Sequence, residues 1–248
     1  MKITAITCTG DRKICLDLMS RWISNQTVKV DQWLVIDDGK IPYNPGNGCE
    51  YLYRQPKRDD PKHTLNLNME MALWNSWGDV ILFMEDDEYY APGYVEAVVN
   101  KIQGHEIAGI CKSKYYNVAH SRYFINPNMK HASLAQTCIV KEAIPILDSV
   151  LRGDPFIDIR LWSAMGLKES GGKGVLFNDG IKDCLYVGIK GMPGRKGIGA
   201  GHKPASGILD KGNLVLKAWM PRDYQVYLDL NQSIRNEPSR TTQMRGRI

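Results

Sequence analysis

Five consecutive apolar residues, Val80-Ile81-Leu82-Phe83-Met84, run without a break into four acids, Glu85-Asp86-Asp87-Glu88. A strand with one wet face alternates polar and apolar positions. A strand apolar at every position is covered on both faces, as in the interior of a parallel sheet flanked by helices. The acids then mark an abrupt exit from core to solvent at the strand's carboxyl end. Upstream, residues 64–77 read as a helix with Leu65, Met69, Ala72 and Leu73 on one side, ended by Gly78. Downstream, Pro92 opens another helix that extends to about Ile102.

The beginning of the chain repeats this alternation. Residues 2–8 form a short apolar strand followed by the turn Thr9-Gly10-Asp11-Arg12. Ile14, Cys15, Leu18, Met19, Trp22 and Ile23 recur at helical spacing over residues 12–25. Trp33-Leu34-Val35-Ile36 is a second strand, stopped by Asp37-Asp38-Gly39. Strand, helix and strand in about forty residues make a βαβ unit, hence a parallel pairing. Residues 40–63 are loop with a short strand at 50–54. Short β-like runs follow at 107–111, 122–125 and 136–140, then helices at 141–151 and 156–166. Gly171-Gly172-Lys173-Gly174 reads as a flexible loop, 184–189 as a strand and 221–230 as a last helix. The fold class is α/β, a mostly parallel central sheet flanked by helices with a smaller β-rich region. No internal repeat is present.

The chain has 248 residues, which suits one large α/β domain. No stretch approaches the roughly 20 apolar residues that cross a bilayer, and the start reads as a strand rather than a signal peptide. The six cysteines form no Cys-x-x-Cys pair, so free thiols and a cytoplasmic setting are expected. The net charge of +5 permits a polyanionic partner without requiring one. Its basic residues gather in Lys190 to Lys196 with His202 and Lys203 beyond, and in a tail with Arg235, Arg240, Arg245 and Arg247. Seven glycines between Gly188 and Gly207 imply a mobile segment there.

In an open parallel sheet, ligands bind outside the carboxyl ends of the strands. Three polar or acidic clusters fall at such ends: Thr9 to Arg12, Asp37-Asp38, and Glu85-Asp86-Asp87. Singly, each has a bland account. Asp37-Asp38-Gly39 suits a tight turn, and acids at Glu85 to Glu88 suit a helix N-terminus. Together on one sheet edge they suit a hard divalent cation, Mg²⁺ or Mn²⁺, which bridges a diphosphate and neutralises the charge on a leaving group.

The runs Ile3 to Thr9, Trp33 to Gly39, and Asn68 to Asp79 leading into Val80 to Asp87 resemble the opening of family 2 glycosyltransferases of the GT-A fold. The resemblance covers about the first hundred residues and thins beyond. It implies a nucleotide-sugar-binding half at 1–106, an acceptor-binding and catalytic half at 107–220, and a C-terminal helix and basic tail at 221–248. It also implies a UDP-sugar donor and Mn²⁺ or Mg²⁺. Thr7 and Thr9 would lie along the nucleotide, and Asp37 or Asp38 would contact its base or ribose. Glu85-Asp86-Asp87 takes the DxD position, with Asp87 the foremost metal ligand, Glu85 a further one and Asp86 on the donor side with Arg12. The first acid is Glu rather than Asp. Family members carry a later Glu-Asp pair on a helix. Phe156-Ile157-Asp158-Ile159-Arg160-Leu161-Trp162 is similar with Ile157 in place of the Glu, which makes Asp158 the expected general base and Asp154 its substitute. An ion pair of Asp158 with Arg160, or a helix cap, is the structural alternative. His202 would complete the metal site, and Arg195, Lys196 and Lys203 would clamp the diphosphate from a closing loop.

Other enzyme classes lack their signatures. The chain has no Gly-x-x-x-x-Gly-Lys-Ser/Thr, no dinucleotide fingerprint opening a βαβ unit, and no Gly-x-Ser-x-Gly elbow. A nucleotidyltransferase would carry a Gly-rich basic first loop, and a non-enzymatic nucleic-acid-binding module would leave the acidic clusters without a purpose. For the acceptor, the basic 190–203 loop and Arg-rich tail leave room for a polyanion, one hypothesis being DNA carrying a hydroxymethylated base, as some bacteriophages use. The alternative is a saccharide of surface-polymer synthesis.

Overall fold

A computed structural model describes residues 1–151, 156–180, 182, 184–194 and 207–236. The first third of the chain runs β1 (Ile3–Thr9), α1 (Lys13–Ser24), β2 (Gln32–Asp37), β3 (Glu50–Tyr53), α2 (Leu65–Asn75), β4 (Val80–Phe83), β5 (Tyr89–Tyr90) and α3 (Tyr94–Lys101). The middle adds β6 (Ile107–Ile110), β7 (Lys114–Asn117), β8 (Arg122–Ile125), β9 (Thr137–Val140), α4 (Ile144–Val150) and α5 (Ile157–Met165). The last part adds β10 (Gly174–Phe177), β11 (Tyr186–Lys190), β12 (Ile208–Leu209), α6 (Leu214–Trp219) and α7 (Tyr224–Asn236).

Seven strands form the main sheet in the order β10-β6-β9-β4-β1-β2-β3. β1 pairs in parallel with β2 and β4, β2 with β3, and β6 with β10, while β9 runs antiparallel between β4 and β6. The apolar run in β4 follows from this central position. Val80, Leu82 and Met84 pack into one hydrophobic layer with Met19, Trp22 and Val98, whereas Ile81 and Phe83 pack into the other with Met69, Leu147 and Leu161. Every residue of β4 is buried, so each of its two faces supports a separate core. A second sheet, β12-β8-β7-β11-β5, stands beside the first, and β5 follows directly on the four acids.

The expected elements of the first hundred residues all appear, with ends displaced by a residue or two. The expected loop at Gly171-Gly172-Lys173-Gly174 covers only its first three residues. Gly174 opens β10, where a Cβ would lie 2.7 Å from Gly166 O and 2.9 Å from the Trp162 ring. Gly174 is there for close packing, not for flexibility. Strands β5, β7, β10 and β12 and helix α6 carry no clear period in the sequence. The main sheet takes β6, β9 and β10 from beyond residue 106, so the expected nucleotide-binding half and acceptor half share one sheet. All six cysteines are free thiols. No helix among the described residues is long and apolar enough to cross a membrane.

Candidate active site

A cleft of about 420 Å³ opens at the carboxyl ends of β1, β2 and β4. Its floor carries Cys8, Thr9, Gly10 and Arg12 from the first strand and turn, Asp38 from the second, and Glu85, Asp86, Asp87 and Glu88 from the third. The three clusters that the sequence places on one sheet edge therefore do meet, with the exception of Asp37.

The four acids are not equivalent. Asp86 is 2% exposed and points back into the first turn, accepting from Thr9 Oγ1 at 2.5 Å and from Arg12 Nη1 at 2.8 Å. The same guanidinium nitrogen lies 2.9 Å from Asp87 Oδ2. Burial disfavours the Arg12 charge, but Asp86 and Asp87 outweigh that and hold its pKa above the ordinary value. Glu88 is tied to β11, accepting from Lys190 Nζ at 2.6 Å and from Ile189 N at 2.5 Å. Glu85 is fixed through its backbone, its N–H donating to Tyr90 Oη at 2.8 Å. One carboxylate oxygen from each of Glu85, Asp87 and Glu88 falls within 4.8 Å of the others. Such a cluster of hard oxygen donors fits a Mg²⁺ or Mn²⁺ ion with water and phosphate completing its shell. Both Glu88 oxygens already serve β11, and Asp87 Oδ2 is shared with Arg12.

Burial pushes Glu85 up to about 7, and the neighbouring Asp87 adds to the rise. A metal must displace that proton. Mn²⁺ affinity, measured calorimetrically, is therefore expected to be level above pH 7 and to fall about tenfold per pH unit below it, one proton being released per ion bound. An affinity flat from pH 5 to 8 would show that Glu85 is not a ligand.

Of the residues expected along the nucleotide, Thr9, Arg12, Asp38 and Asp86 line the cleft. Thr7 does not. It sits two residues short of the strand end, fully buried, and its Oγ1 accepts from Trp33 Nε1 at 3.0 Å. Asp37 also turns away, binding Gly39 N at 2.8 Å, Tyr43 N at 2.9 Å and Tyr51 Oη at 2.7 Å, and so shapes the loop after β2. Asp38 takes the cleft side and pairs with Arg54 Nη2 at 2.9 Å, while Arg54 Nε donates to Asn68 Oδ1 at 2.6 Å.

Asp158 also lines the cleft, standing half-buried in the first turn of α5 between Phe156 and Ile159, which are 47% and 49% exposed. Burial raises its pKa, against the pull of the Ile159 N–H and of the nearby His131. Arg160 Nε donates to Val150 O at 2.9 Å, and its charge also acts on Asp158. Ser113, Asn126, Asn128, His131 and Ser133 line the cleft as well. These residues, and the Glu88–Lys190 pair, carried no motif in the sequence. Lys190 was visible there only as the first of a basic run. Asp154, Arg195, Lys196, His202 and Lys203 lie outside the described residues. Gly194, the last described residue before that basic segment, lies against the first turn, where a Cβ would meet Asp11 O at 2.7 Å.

No family model and no curated protein sequence matches this chain. Solved structures do. Staphylococcus aureus TarS 1–349 in complex with UDP-GlcNAc superposes with a TM-score of 0.54 at 11% identity, over 100% of this chain and 77% of that one. S. aureus TarS in a longer form gives 0.54 and 11%, over 76% of this chain and 37% of that one. A mycobacterial protein gives 0.51 and 14%, over 81% and 69%. The chain thus spans 37% of the longer TarS form. The fold is of the GT-A type, a mixed α/β architecture with a mostly parallel central sheet flanked by helices.

Proposed function

We propose that this chain is a metal-dependent glycosyltransferase that moves a sugar from a UDP-sugar to an acceptor hydroxyl with inversion at the anomeric carbon. The observation that carries the reading is the convergence of Glu85, Asp87 and Glu88 at the end of β4, in one cleft with Asp158. A similar fold in TarS, a protein seen with UDP-GlcNAc, supports the choice of donor.

Glu85 and Asp87 would hold the divalent ion, and His202 is the expected further ligand. The bound ion supplies a Lewis acid that neutralises charge on the departing diphosphate. Thr9 and Arg12 position Asp86 and the first turn along the nucleotide, and Asp38, with Arg54 and Asn68 behind it, faces the nucleoside. Arg195, Lys196 and Lys203 are the proposed diphosphate clamp. Asp158 receives the proton of the acceptor hydroxyl while that oxygen attacks the anomeric carbon from the face opposite the diphosphate. Its raised pKa strengthens it as a base, and its place at the cleft wall lets an acceptor reach it. The six free thiols support a reducing, cytoplasmic setting. The test is Mn²⁺-dependent hydrolysis of UDP-sugars, lost when Asp87 is replaced.

For the acceptor, we carry forward a hydroxymethylated base in DNA, on the charge of the 190–203 segment and the C-terminal tail. Binding would then run largely through phosphates and fall steeply with salt. A gel-shift titration at low ionic strength is expected to retard duplex DNA, with the shift abolished at several hundred millimolar salt. Absence of any shift at low salt removes DNA as the acceptor. A saccharide acceptor is the second reading. It is favoured by the polar wall of Ser113, Asn126, Asn128, His131 and Ser133, groups suited to sugar hydroxyls.

A further inference from the structure

Lys190 ends β11 and lines the cleft, yet it is only 7% exposed. Its ammonium lies 2.6 Å from Glu88 Oε1 and 5.4 Å from the centre of the Tyr115 ring. Gly188, two residues earlier on the same strand, makes room for both partners. A Cβ there would stand 2.4 Å from the Tyr115 ring and 3.3 Å from Glu88 Oε2. The lysine is thus held in a built pocket next to the carboxylates that fit a metal.

Glu88 is a buried carboxylate that Lys190 neutralises. The Ile189 N–H fixes the second Glu88 oxygen. An ammonium also carries three protons, of which Glu88 Oε1 takes one. A compact cation on a fixed stem, beside a metal site, is a phosphate-binding arrangement.

We infer that Lys190 is a phosphate-binding residue of this site, contacting the β-phosphate of a nucleoside diphosphate whose metal is held by Glu85 and Asp87. The inference rests on the glycosyltransferase reading above. In the transfer step the bond between the anomeric carbon and the β-phosphate oxygen breaks, and its electron pair stays on that oxygen. The acceptor oxygen forms the new bond and loses its proton to Asp158. Lys190 keeps all its protons and shares the charge that collects on the phosphate, a contact stronger in the transition state than in the bound donor.

UMP and UDP separate this role from a structural one, because only UDP has a β-phosphate. Calorimetric titration of the full chain with each nucleotide, in Mn²⁺, is the experiment. Lys190→Met is expected to weaken UDP about tenfold to a hundredfold, the range for a hydrogen bond to a charged group. It should leave UMP within about twofold. Lys190→Arg should retain more of the UDP preference than Lys190→Met. Because the methionine variant strands Glu88, the double variant Glu88→Gln/Lys190→Met, which leaves neither charge unpaired, should show the same loss selective for UDP. Equal losses for UMP and UDP, or an unchanged UDP affinity in either folded variant, overturn the inference. If wild type shows Asp87-dependent UDP binding that Lys190→Met retains, only this assignment fails. If wild type binds neither nucleotide, the donor reading fails and this assignment with it.

Discussion

Asp87→Ala is expected to lose Mn²⁺-dependent binding and hydrolysis of UDP-sugars by about a hundredfold or more, while keeping its fold. The loss follows from removing one of the two carboxylates proposed to hold the ion, whose neutralisation of a diphosphate contributes several kcal/mol, each 1.4 kcal/mol being about tenfold. The fold should survive because the relief of repulsion among the acids offsets the lost contact of Asp87 with Arg12, which keeps Asp86. Asp87 lies in a carboxylate cluster with Glu85 and Glu88, and Asp86 retains Arg12 at 2.8 Å and Thr9 at 2.5 Å. Donor binding by calorimetry with and without Mn²⁺, alongside circular dichroism, measures both halves of the expectation. Metal-dependent donor binding that persists at wild-type strength would show that the acids at the end of β4 are not the metal site.

Asp158→Asn is expected to lower the transfer rate by about 10²- to 10⁴-fold, the usual contribution of a positioned base, and to leave UDP-sugar affinity within about twofold. The amide keeps the shape of the side chain in the first turn of α5 and cannot take a proton. Donor binding should be spared because Asp158 is delivered by α5, whereas Thr9, Arg12 and Asp86 come from the segments at the ends of β1 and β4. Transfer at the wild-type rate would reassign the base, with Asp154 next in line. A loss confined to donor affinity would instead place Asp158 among the binding residues.

The donor side was legible in the sequence because its residues are close along the chain and follow periodic elements. The apolar run of β4 declares a central strand, and the acids after it declare the strand's open end. The acceptor side was not legible. Apart from Asp158, which the resemblance in the run Phe156 to Trp162 singles out, its residues Ser113, Asn126, Asn128 and His131 arrive from loops that no local period connects. Glu88 and Lys190 meet across 102 positions of sequence, so nothing near either residue announces the other. Thr7 illustrates a different limit. Strand periodicity gives Thr7 and Thr9 the same face, but only the second reaches past the sheet edge. Likewise, Asp37 and Asp38 are adjacent, and only the structure shows that the first organises its own loop while the second faces the cleft.

The position of β9 bears on how such a chain can be taken apart. β4, which delivers the acids, has β1 on one side and β9 on the other, and Glu88 reaches across to β11. A fragment ending near residue 106 would keep all four acids that follow β4 and still present β4 as an open hydrophobic edge, the kind that invites aggregation. It would also lose both donors to Glu88. The two halves are therefore not separable modules, and the polypeptide must be complete through β11 before its carboxylates are all held. Dissection, domain grafting and circular permutation of this fold have to respect that dependence, with cut points restricted to the loops outside the shared sheet.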